Sequence, residues 1–95
     1  MAAGNATQTP QRRARGLVAR NTDLVVMVKG PTMTDPLKLE GLARAVWDAL
    51  DAPRTADEII ALVAERHRVA TDELRGEVES TVRMLAAAEI VVDAA

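Results

Sequence analysis

The chain has 95 residues with 12 Lys and Arg against 14 Asp and Glu, no cysteine, phenylalanine or tyrosine, one tryptophan and one histidine. A chain of this length holds one domain with an economical core, and the missing cysteines exclude disulfides, thiolate metal sites and thiol nucleophiles together. The net charge of -2 gives no drive toward nucleic acid or an anionic membrane; with no apolar run near the about 20 residues that span a bilayer and no secretory h-region, the expected location is the cytoplasm.

In chain order, Met1 to Gln11 is small and polar without apolar period, and residues 1–15 are expected to form a disordered arm ahead of a folded domain over 16–93. Arg12, Arg13, Arg15 and Arg20 make a basic run, expected to be solvated, with an electrostatic contact to an acidic partner enzyme as the sharper reading. Leu17-Val18-Ala19 is a plausible first strand, and Leu24 to Val28 has the valine-rich composition of a buried second strand. Asn21-Thr22-Asp23 suits the turn between them. Gly30-Pro31 stops the second strand, and Asp35-Pro36 ends the following loop. Leu37-Lys38-Leu39 is a third, very short strand. Because Pro36 has no N–H to give a ladder, this strand is expected at a sheet edge.

Three helices are predicted next. The first covers Gly41 to Leu50, with Leu42, Val46, Trp47 and Leu50 on one face, and Asp51-Ala52-Pro53 ends it. The second opens at Thr55-Ala56-Asp57-Glu58, a capping-box sequence, and carries Ile59, Ile60, Leu62 and Val63 inward. Thr71 is expected to cap the third, with Asp72 and Glu73 in its first turn and Leu74, Val78, Thr81, Val82 and Leu85 as its inward stripe. Ile90-Val91-Val92 fits either a helix end or a terminal strand.

Nothing in this pattern assembles a reaction centre. His67 has no second imidazole or thiolate to share a metal, and at helical spacing from Ile60 and Val63 it is expected to cover the core edge. The only serine, Ser80, sits mid-helix. The carboxylates are interspersed with arginines along the helices, the pattern of a solvated face. Gly30 and Gly41 are isolated, so there is no phosphate-binding glycine loop. A winged-helix DNA-binding regulator has the same element order, but the third helix sets Asp72, Glu73, Glu77, Glu79 and Glu89 against Arg75 and Arg83, which phosphates would repel.

The order of strand, Trp-bearing helix, proline break and capped helix resembles the PqqD-like domains, also called RiPP recognition elements. The resemblance covers about Leu17 to Val92, and its strongest parts are Leu37-x-Leu39, Ala45-x-Trp47-x-x-Leu50, Pro53-Arg54-Thr55-x-x-Glu58-Ile59 and Val78-x-x-x-Val82-x-x-Leu85. The chain departs from the family's usual pattern at Glu40 (often asparagine), at His67 (usually aromatic) and at Glu89-Ile90 (usually a glycine before the last apolar pair). The resemblance implies an α+β, winged-helix-like fold, three short antiparallel strands followed by three helices. It also implies a non-catalytic protein without cofactor or metal, which binds the leader peptide of a ribosomally synthesised precursor and delivers it to a maturation enzyme (a leader peptidase, cyclase or radical enzyme). The family's mode is β-strand addition, an exposed edge serving as template. By the resemblance, Leu37, Lys38 and Leu39 carry the backbone contacts, and Arg75, Val78, Glu79, Val82 and Arg83 line a helical wall. No nucleic acid or membrane partner is implied. The alternatives are the DNA-binding regulator and a structural subunit of a larger enzyme.

Overall fold

The structure is a computed structural model and describes residues 9–94; the earlier part of the expected arm lies outside the described residues. Its elements are β1 (Gln11–Arg13), β2 (Val18–Asn21), β3 (Val26–Lys29), β4 (Leu37–Leu39), α1 (Leu42–Ala49), α2 (Ala56–His67), α3 (Thr71–Ala87) and β5 (Val91–Asp93). The antiparallel sheet β2-β3-β4 followed by three helices is the expected α+β arrangement. Two short strands not resolved from the sequence, β1 and β5, pair antiparallel as a separate sheet.

The first hairpin is closed by Thr22. Its N–H donates to the Val25 carbonyl at 2.8 Å, and its hydroxyl accepts the Val25 N–H at 3.1 Å. The turn residues are therefore Asp23 and Leu24, one step later than the sequence alone places them, and β3 starts at Val26 rather than Leu24. Leu24, left outside the sheet at the tip, is 79% exposed.

Alternation sends Val26, Val28 and Leu39 into the core, where each is fully buried. They meet Val46, Trp47 and Leu50 of the α1 region, Ile59, Ile60 and Val63 of α2, Val78 and Leu85 of α3, and Ile90 and Val91. Trp47, only 4% exposed, is the one aromatic side chain there. Burying each of the surrounding Leu, Ile and Val side chains contributes about 1.5–3 kcal/mol before chain entropy is counted.

The helix ends follow local chemistry. The Thr55–Glu58 capping box forms in both directions, with the Glu58 N–H donating to Thr55 Oγ1 at 3.2 Å and the Thr55 N–H to Glu58 Oε1 at 2.8 Å. The third helix differs from expectation at its start. Ala70, not Thr71, is the capping residue, and no side chain caps it; Thr71 already lies inside the helix. The first-turn carboxylates Asp72 and Glu73 remain to favour the helix N-terminus. His67 is exposed, because α2 ends at that turn and its tip projects into solvent.

At the end of α3, Glu89 is left-handed at φ 62. The Glu89 N–H donates to the Ala86 carbonyl at 3.0 Å and the Ile90 N–H to the Leu85 carbonyl at 3.0 Å. These two bonds define a Schellman motif, and its apolar contact is the buried pair Leu85 and Ile90. The position where the resemblance anticipates glycine is thus held by a glutamate in a backbone region that glycine adopts more cheaply.

Between β4 and α1 the chain turns through Gly41, at φ 59 and ψ -131. A Cβ there would meet nothing within 4 Å, so the constraint is the backbone itself. Gly41→Ala is expected to cost about 1–3 kcal/mol, read as a lower urea midpoint, with β4 the strand displaced.

The basic run is not uniformly solvated. β1 pairs with β5 (Arg12↔Val92), the Pro10 carbonyl accepts the Ala94 N–H at 2.9 Å, and Gln11 exchanges backbone bonds with Arg54 at 2.7 and 2.9 Å. Gln11 and Arg12 were expected in the arm but are held by these partners. Arg13 lies over the Trp47 ring at 4.0 Å and donates to the Trp47 carbonyl at 2.6 Å. Burial lowers the Arg13 pKa, Asp48 and Asp51 opposing it, and its Nε has no hydrogen-bond partner. The stacked ring offsets that loss through cation–π attraction. Arg15 and Arg20 are exposed.

Candidate functional site

The order β2-β3-β4 leaves β4 paired on one side only. Which of its backbone groups face the open side follows from the hairpin. The Thr22 N–H donates to the Val25 carbonyl, which makes 22↔25 a bonded position, and the register runs Asn21↔Val26, Arg20↔Met27, Ala19↔Val28. In an antiparallel ladder bonded and non-bonded pairs alternate, so Arg20↔Met27 is bonded and Met27 points its N–H and C=O toward β2. Val26 and Val28 then point theirs toward β4, where they pair with Leu39 and Leu37. Lys38, opposite Met27, is left with both its N–H and its C=O on the open edge.

The side chains of β4 divide accordingly. Leu39 is buried, Leu37 half-buried against the core, and Lys38 exposed on the outer face, its Nζ 3.6 Å from a Glu40 carboxylate oxygen. An exposed strand edge with its polar groups unpaired is a template for a second chain.

The α3 residues named from the resemblance are divided by the fold. Val78 is fully buried in the core. Arg75 donates to Asp57 Oδ1 of α2 at 2.7 Å; this hydrogen bond, aided by the charge, raises its pKa. Glu79, Val82 and Arg83 line a cavity of about 310 Å³ with Gln11, Ala56, Ala86 and Asp93. That cavity's walls come from β1, β5 and the start of α2, so these three residues do not share it with Leu37, Lys38 and Leu39.

Ala88, just past α3, lines a second cavity of about 420 Å³ with Pro31, Thr32 and Met33 of the β3–β4 connection. At about 100° per residue, Thr81 lies on the same flank as Ala88, and Met84 borders it. Met84 is 43% exposed and Met33 half-buried against the core. Neither methionine was singled out from sequence; the signal available was an apolar residue one step off the inward stripe.

Among the described residues no group of three or more His, Cys, Asp or Glu side chains could hold a metal ion, and no helix is long and apolar enough to cross a membrane.

The fold defines a small winged α+β domain presenting an open strand edge. The chain belongs to the PqqD family: residues 25–91 match the family of coenzyme PQQ synthesis protein D (PqqD). It shares its fold with a solved structure described as TbiB1 in complex with the TbiA(beta) leader peptide. That likeness has a TM-score of 0.76 at 17% sequence identity and covers 88% of this chain and 98% of that one. No curated protein matches the chain.

Proposed function

We propose that this protein is a non-catalytic recognition protein. It binds the leader peptide of a ribosomally synthesised precursor as an added strand beside β4 and delivers it to a maturation enzyme. The observation that carries the reading is the outward N–H and C=O of Lys38 on the β4 edge of the sheet. Membership of the PqqD family and the likeness to a structure holding a leader peptide support it.

In this reading Leu37, Lys38 and Leu39 supply the pairing edge, with Lys38 making both backbone bonds. Val78 supports α3 from within the core, and Met33 offers adaptable apolar contact in the connection leading to β4. Glu79, Val82 and Arg83, with their own cavity, contact the leader beyond the paired segment, and Arg75 steadies that flank through Asp57. The protein works in the cytoplasm, where precursors are made.

The test is amide mapping of the protein titrated with candidate leader peptides. The Lys38 N–H is expected to shift strongly and become protected from exchange, while the Leu37 and Leu39 N–H groups, already bonded to β3, move less. If none of the three signals responds to a leader that binds, the site is elsewhere.

A further inference from the structure

The outer face of the sheet is as specific in its chemistry as the edge. Strand alternation and the observed register place Val18 and Arg20 of β2, Met27 and Lys29 of β3, and Lys38 of β4 on one face, opposite the buried Val26, Val28 and Leu39. Arg20, Lys29 and Lys38 are exposed, and no helix covers them. Charge is segregated along the chain in the same sense. From Arg12 to Leu39 the sequence has six cations, Arg12, Arg13, Arg15, Arg20, Lys29 and Lys38, against Asp23 and Asp35, while the residues after Leu39 have six cations against twelve anions. The sheet therefore carries a positive field on a molecule whose net charge is -2.

A strand added at β4 extends this face by one row. The residue directly across from Lys38 must put its side chain on the same face as Lys38, whichever direction the peptide runs, because paired strands share their pleat. Its two neighbours point the other way, toward the side where Leu37 and Leu39 lie. Glu40 already sits beside Lys38, but both side chains are more than half exposed, at 56% and 63%. Such a pair is weak and leaves the lysine available.

Resting on the strand-addition reading, we propose that register is read by charge. The peptide class this edge selects carries a carboxylate side chain at the position paired with Lys38, flanked on both sides by apolar residues. Lys38 is then both the backbone anchor and the specificity-determining side chain.

The experiment uses a displayed library of random dodecapeptides, selected in parallel on the wild-type protein and on Lys38→Glu. Binders of the wild type are expected to carry Asp or Glu flanked by apolar residues, and binders of the variant Lys or Arg at that same position. For one selected peptide, exchanging the acid for lysine should weaken wild-type binding about fivefold, the scale of an opposite-charge cross-strand pair replaced by a like-charge one. The preference should shrink in 1 M salt, where the screening length is about 3 Å. Binders that shift the Lys38 amide but show no charge preference, or the same preference on both proteins, overturn this proposal and leave strand addition standing. Binders that leave the Lys38 amide unmoved, or a library that yields none, overturn strand addition and this proposal with it.

Discussion

Lys38→Pro is expected to weaken leader binding by roughly tenfold or more while the domain stays folded. The substitution deletes one N–H, and an unmade backbone bond in an otherwise matched pairing costs about 1–3 kcal/mol. Folding should barely respond, because that N–H faces the open edge and the side chain is exposed. Proline is tolerated on edge strands for the same reason. Leu39→Pro provides the contrast. The Leu39 N–H belongs to the bonded pair with Val26 and its side chain is fully buried, so that variant should fail to fold. Circular dichroism and calorimetric titration of both variants give the comparison. A folded Lys38→Pro protein with undiminished leader affinity would remove β4 as the pairing edge.

Trp47→Ala is expected to cost about 3–5 kcal/mol of stability. A small domain has about 5 kcal/mol to lose at the low end of the usual range, so the variant should keep no more than about 2 kcal/mol and approach half unfolded at the upper end of the loss. Two contributions combine. The indole fills the centre of a core otherwise built from aliphatic side chains, and its face holds the Arg13 guanidinium at 4.0 Å. Without the ring, Arg13 keeps its bond to the residue-47 carbonyl but loses the partner that offsets its burial. Urea unfolding followed by far-ultraviolet circular dichroism reads the change; a loss below about 1 kcal/mol would show that the ring is not the centre of the core.

How much of this was legible in the sequence depended on whether the cause was local. The capping box at Thr55 and Glu58 and the strand at Leu37–Leu39 after Pro36 were readable because neighbouring residues dictate them. The start of α3 was misplaced by one residue because Thr71 is a good cap by type, while the backbone turns into the helix at Ala70. β1 was invisible: Gln-Arg-Arg has no strand composition, and it is held by Arg54 and β5, both distant in sequence. For the site, periodicity sorted α3 into faces but could not say that Glu79, Val82 and Arg83 turn toward β1 and β5. The outward direction of the Lys38 amide was equally hidden. It is inherited from the Thr22–Val25 closure, sixteen residues upstream of Lys38 when counted from Thr22.

The union of β1 with β5 brings the two ends of the described chain within one hydrogen bond of each other, Pro10 to Ala94 at 2.9 Å. A domain whose entrance and exit coincide can be spliced into a surface loop of another protein without stretching either side. Placed in this way inside a modifying enzyme, it would hold a captured leader at an effective concentration in the millimolar range, provided the connecting segments let the peptide reach the reaction centre. The same clasp that steadies a small core thus makes the domain a portable cassette for recruiting substrate.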